Sequence, residues 1–81
     1  MGAITSPTII QLAPNCGVKE VVVTGSMATG ETWDASSYFT TLYVTYLCDG
    51  TGAVKIATFS GTTVTMGTLS TGTHTLIVWG I

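Results

Sequence analysis

Hydrophobic and polar positions alternate along this chain in short runs, and no segment carries the spacing of a useful helix face. Threonine, valine and aromatic residues dominate the runs, and these types fit a pleated, half-buried surface. Turn signals recur about every ten residues, the spacing expected of a small all-β sandwich or barrel. Thr8 to Leu12 predicts a first strand. Pro7 and Pro14 bracket it, which suits an edge or a strand end because neither can donate to a ladder. Asn15-Cys16-Gly17 reads as a turn into a second strand, Val18 to Thr24, with Val21 and Val23 on one face and Val22 on the other. A run that is apolar on both faces implies contact on both sides.

Gly25 to Ser37 is the longest irregular stretch, and Tyr38 to Cys48 the longest expected strand. Apolar residues fall on both of that strand's faces, so neither is marked as the solvent side. Asp49-Gly50-Thr51-Gly52 supplies a hairpin turn, since Asp-Gly tolerates the positive φ angles of a tight reversal. Ala53 to Ser60 returns as a strand, Gly61 turns the chain into Thr62 to Leu69, and Ser70-Thr71-Gly72 turns it into Thr73 to Gly80. The pattern predicts a meander of four antiparallel strands from Tyr38 onward. With the two N-terminal strands it makes a single all-β domain over residues 1–81, a small antiparallel β-sandwich or partly open barrel of about six short strands.

Composition narrows what such a domain does. Only Lys19, Glu20, Glu31, Asp34, Asp49 and Lys55 are charged, 7% of the chain, with no arginine; soluble domains carry about 25%. Seventeen threonines supply much of the remaining polarity. Two lysines cannot neutralise a row of phosphates, so nucleic acid is not an expected partner. No apolar run approaches the roughly 20 residues of a membrane-spanning helix, and no basic, then apolar, leader opens the chain. A domain this small commonly relies on disulfides, metals or partner subunits. With two cysteines and one histidine, no metal site or cofactor is expected, and partner subunits remain.

Candidate chemistry is sparse. Gly25 to Thr32 matches the phosphate-loop pattern G-x-x-x-x-G-K-[ST] except that Glu31 replaces the lysine that would reach the phosphate. Cys16 and Cys48 allow one bridge, but two reduced thiols packed as small hydrophobes are the preferred expectation. His74 lacks a nucleophile elbow nearby and reads as a strand-edge residue beside Gly72. The carboxylates Glu20, Glu31, Asp34 and Asp49 have no evident cleft to serve. Trp33, Tyr38, Tyr43, Tyr46 and Trp79 suggest a stacking platform for a sugar or peptide, or else core and subunit contacts. No catalytic residues are assigned, and an enzyme is not expected.

The order of parts from Val18 to Tyr38 is a valine-rich strand, a Gly25–Gly30 loop with Glu31-Thr32, then Asp34 and Ser36-Ser37-Tyr38. Together with the Gly-Thr hairpins and the ending Thr75-Leu76-Ile77-Val78-Trp79-Gly80-Ile81, this resembles the small β-rich virion proteins of tailed bacteriophages, particularly head decoration or cement proteins. The resemblance implies a capsid-surface protein that ties neighbouring subunits together, with the major capsid protein or copies of itself as partners, and likewise a homo-oligomer. It also implies reduced cysteines, because heads assemble in a reducing cytoplasm. Val21, Val23, Leu76, Val78, Trp79 and Ile81 are the expected subunit contacts. Two other readings are a tail, fibre or filament subunit joining by strand addition, and a small secreted ligand-binding module.

Overall fold

The computed structural model describes residues 2–5, 7–70 and 72–81, with the main chain alone at 13–15. Its strands are β1 (Thr8–Asn15), β2 (Val18–Ser26), β3 (Thr32–Asp34), β4 (Leu42–Asp49), β5 (Val54–Lys55), β6 (Ala57–Ser60), β7 (Thr63–Met66) and β8 (Thr73–Gly80). They form two antiparallel sheets, one ordered β1-β2-β8-β4-β5 and the other β3-β7-β6. The expected all-β class is what the chain adopts, as two stacked sheets rather than a closed barrel.

The larger sheet begins with a two-residue hairpin. Asn15 pairs with Val18, and Cys16 and Gly17 between them hold φ of 53° and 79°. Positive φ at both central positions is the type I′ geometry whose twist matches the flanking strands. The ladder slips between Leu12 and Asn15, so the regular part of β1 is Thr8–Leu12. The turn after β4 is held by Asp49, whose Oδ1 accepts hydrogen bonds from Thr51 N (2.9 Å), Thr51 Oγ1 (2.7 Å) and Ala53 N (3.0 Å). The expected turn at Ser70-Thr71-Gly72 includes Thr71, which lies outside the described residues.

Three expectations about connectivity are corrected. The second half is not a meander: β8 inserts between β2 and β4, pairing Leu76 with both Val23 and Leu47. Ala53 to Ser60 is not one strand. It breaks at Ile56, leaving β5 in the larger sheet and β6 in the smaller one, so the chain changes layers there. The third correction lies inside the Gly25–Ser37 stretch, which contains β3. There the Asp34 carboxylate accepts from Ser36 N (2.9 Å), and the amides of Tyr38 and Phe39 both donate to Ala35 O at 2.9 Å. That turn holds residues 35–39 out of β4, which starts at Leu42 instead of Tyr38. These changes bring the strand number among the described residues to eight.

The space between the sheets is filled by a contiguous cluster in which Val21, Val23, Leu47, Leu76 and Val78 of the larger sheet meet Trp33, Val64 and Met66 of the smaller. Four of the expected subunit contacts are therefore core. Val21 is 1% exposed, and Val23, Leu76 and Val78 are 0% exposed. They lie on β2 and β8, strands paired on both sides, so they offer a neighbour neither side chain nor edge. Their alternation shows which residues share a face but not which face meets the second sheet.

Both ends of the described chain are fastened to the chain itself. Ile4 N donates to Thr32 O (2.9 Å) and Thr32 N to Gly2 O (3.2 Å), covering the free side of β3. Thr41 N donates to Ile81 O and Ile81 N to Thr41 O, both at 2.9 Å. A Cβ on Gly80 would collide with Thr41 O and sit 2.9 Å from Phe39 Cδ1, so this closure needs glycine.

Candidate functional site

The two outer faces of the sandwich differ in chemistry. On the smaller sheet, register aligns Thr32, Thr65 and Thr58 in one row, with Asp34, Thr63 and Ser60 in the next. This face is hydroxyl-rich and nearly uncharged. It meets water through side chains that donate and accept hydrogen bonds, which explains how the chain tolerates so little charge.

On the larger sheet, register aligns Ile10, Val22, Ile77 and Tyr46 straight across β1, β2, β8 and β4. The neighbouring row is Leu12, Glu20, Trp79 and Val44, and the row on the other side ends at Cys48 beside Val54. Ile10 is 49% exposed, Val44 53% and Val54 64%, so among the described residues nothing covers this face. Glu20 is the one charged side chain in these rows. Strands about 4.8 Å apart and the ~26 Å overlap of Lys19–Ser26 with Thr73–Gly80 give four strands a plan area of roughly 500 Å². The rows of Thr24–Thr75 and Ser26–Thr73 within that span are hydroxylic, so the apolar part is roughly half of it, gathered in the two rows of Ile10 and Leu12.

Of the six expected contact residues, only Trp79 belongs to this face, half-buried between Glu20 and Val44. Ile81 is 42% exposed just beyond the end of β8. Ile10, Val22 and Ile77 were missed, and Tyr46 was expected only within the aromatic set, as a platform or as a core or subunit contact. The signal for Val22 and Ile77 was present, since each is the odd residue of an apolar-on-both-faces run. Their alignment depends on β8 lying between β2 and β4, which no local pattern reveals.

The expected aromatic platform is divided. Trp33 and Tyr38 stack with centroids 5.8 Å apart, Trp33 in the core, whereas Tyr46 and Trp79 face outward. The phosphate-loop lookalike closes on itself. Glu31 Oε1 accepts from Ala28 N (2.7 Å), occupying an amide that a phosphate would need, and β3 follows in place of a helix. Asp34 and Asp49 are turn-holders. Hydrogen bonds from the Ser36 amide and hydroxyl lower the Asp34 pKa. Asp49 is lowered to about 2, first by the Thr51 hydroxyl, then by the amides of Thr51 and Ala53 and the Lys55 ammonium, against an opposing effect of burial.

His74 is not at a strand edge. It is 1% exposed on the inner face of β8, between Gly25 and Asp49 in register. Its Nδ1 lies 3.0 Å from Gly72 O, and Nε2 is buried with no partner among the described residues. Cys16 sits in the first hairpin turn and Cys48 in the row of Thr24 and Thr75, ~20 Å further along the sheet. That separation exceeds disulfide reach, and both thiols are free. Beneath β1, Gln11, Lys19, Ser37 and Tyr38 line a cleft of about 250 Å³, and Lys19 Nζ donates to Tyr38 O at 3.0 Å. Among the described residues, no three of His, Cys, Asp and Glu come together. Compared with known proteins, the chain matches no family model, no curated protein and no solved structure.

Proposed function

We propose that this chain is a non-enzymatic structural protein of a virus particle, a decoration protein that docks on the phage head through the outer face of its larger sheet. The observation that carries the reading is that face: a row of Ile10, Val22, Ile77 and Tyr46 that no described residue covers. Interface centres are poor in charge and enriched in Tyr and Trp, as these rows are. The partner is a larger capsid subunit, and the hydroxyl-rich face of the smaller sheet turns to solvent. In this arrangement the interface supplements the modest stability of a small domain, because whatever binds only the folded state stabilises it.

The test is binding of the purified chain to heads lacking it. The double variant I77K/Y46K, folded as judged by circular dichroism, should lose occupancy at least tenfold. Full occupancy by that variant would overturn the docking face. No occupancy by the unaltered chain would overturn the assignment to the head.

A further inference from the structure

We propose that two copies join along β1 in antiparallel register centred on Ile10, fusing their outer faces into one docking surface. This rests on the docking reading above but is carried by a different observation, the free edge of the larger sheet.

The sandwich has four edges, and three are blunted. β3 is covered by Gly2–Ile4 of the same chain. β5 is two residues long and carries Lys55. β6 has four residues, and its Ala57 O already accepts from Thr45 Oγ1 at 3.1 Å. β1 is different. Thr8–Leu12 pairs with β2 on one side only, contains no charged residue and keeps Ile10 and Leu12 about half exposed. An uncharged, regular edge is a template for a further strand, and sheets usually protect such edges with charge, proline or bulges. Here those devices stand at the ends, Pro7 before the segment and the register slip after Leu12, so they delimit a five-residue stretch instead of blocking it.

The second copy is the occupant that fits. Antiparallel pairing about Ile10 sets Thr8 opposite Leu12 and Ile9 opposite Gln11 of the other copy, with no charge meeting a like charge. About four to six main-chain hydrogen bonds form across such a five-residue ladder. A twofold axis normal to the sheet keeps both apolar faces on the same side. Each face offers roughly 500 Å², short of the ~800 Å² per partner of a standard interface; two fused faces offer about 1,000 Å². The dimer thus has the docking area that one copy lacks, and it spans two neighbouring capsid subunits.

The experiment is site-directed cross-linking of the purified chain in a C16S/C48S background. Facing residues in an antiparallel pair have Cα atoms about 4.5–5.5 Å apart, within disulfide range. Under mild oxidation I10C should give at least tenfold more covalent dimer than V54C on the opposite edge. Sedimentation should show self-association that I10K abolishes, because two ammonium groups would meet at the axis. Equal cross-linking at the two sites, or I10C chains that stay monomeric under oxidation, would overturn the pairing. Dimers that cross-link at Ile10 but leave heads unoccupied would keep the pairing and refute the head assignment. Monomeric I10K that fills heads as well as the parent chain would keep the head assignment and overturn the fused docking surface.

Discussion

Leu76 and Ile77 are neighbours on β8 that point to opposite faces, and truncating each to alanine separates core from docking surface. Leu76 is 0% exposed and lies between Val23 and Leu47, both also 0% exposed, so its truncation leaves a cavity that these strands cannot close. Buried Leu→Ala changes cost about 2–5 kcal/mol. A chain of this length has a total stability of roughly 4–12 kcal/mol, so L76A removes a large share of it or unfolds the protein. Ile77 lies between Val22 and Tyr46 on a face that solvent already reaches. I77A forfeits part of two cross-strand contacts, each worth about 0.2–1 kcal/mol. Urea unfolding followed by tryptophan fluorescence reads the difference. With a slope of about 1 kcal/mol/M, L76A should lower the midpoint by about 2 M or more and I77A by less than about 1 M. Equal losses in the two variants, measured on dilute monomer, would mean that the outer face is covered within the chain and that no free docking face exists.

Three further outcomes follow from local geometry. C16N should stabilise the protein by about 0.5–1 kcal/mol, seen as a higher Tm, because Asn tolerates the left-handed conformation that Cys16 is forced into; an unchanged or lower Tm would contradict the type I′ turn. H74L should leave stability unchanged or raise it by up to about 1 kcal/mol in urea unfolding, since it removes the buried Nε2, which has no partner among the described residues, while Gly72 O keeps its bond from Met27 N. The Asp49 carboxyl has a folded pKa of about 2, below its unfolded 3.8, so the folded state binds fewer protons in that range and the turn's contribution is present above about pH 5. It is lost as pH falls from about 5 through 2, so the difference in urea midpoint between the parent chain and D49N should shrink over that window, and a constant difference would refute the assignment.

Fold class was legible because threonine, valine and aromatics alternate in short runs separated by glycine-bearing turns. Turns at Cys16-Gly17 and Asp49–Gly52 were legible for the same reason: few residues accept those backbone angles or cap them. Strand order was not, because Val21-Val22-Val23 and Leu76-Ile77-Val78-Trp79 are apolar on both faces, and period-two patterning is silent about which face is covered. That ambiguity put Val21, Val23, Leu76 and Val78 at the surface when they are core, and hid Val22 and Ile77. Two local competitions account for the rest. Asp34 capping Ser36 draws Tyr38 and Phe39 into a turn despite their strand-like pattern. The chain also changes sheets at Ile56, which continues the apolar alternation of Val54 and so conceals the break.

The most direct test of the docking account is a cryo-electron-microscopy map of the chain on its particle, read for which face of the sandwich is covered. The account predicts that Ile77, Tyr46 and Trp79 lie against a larger subunit while Thr58, Thr63 and Thr65 face solvent. A map with the threonine rows against the particle and the Ile10–Tyr46 row in water would contradict it.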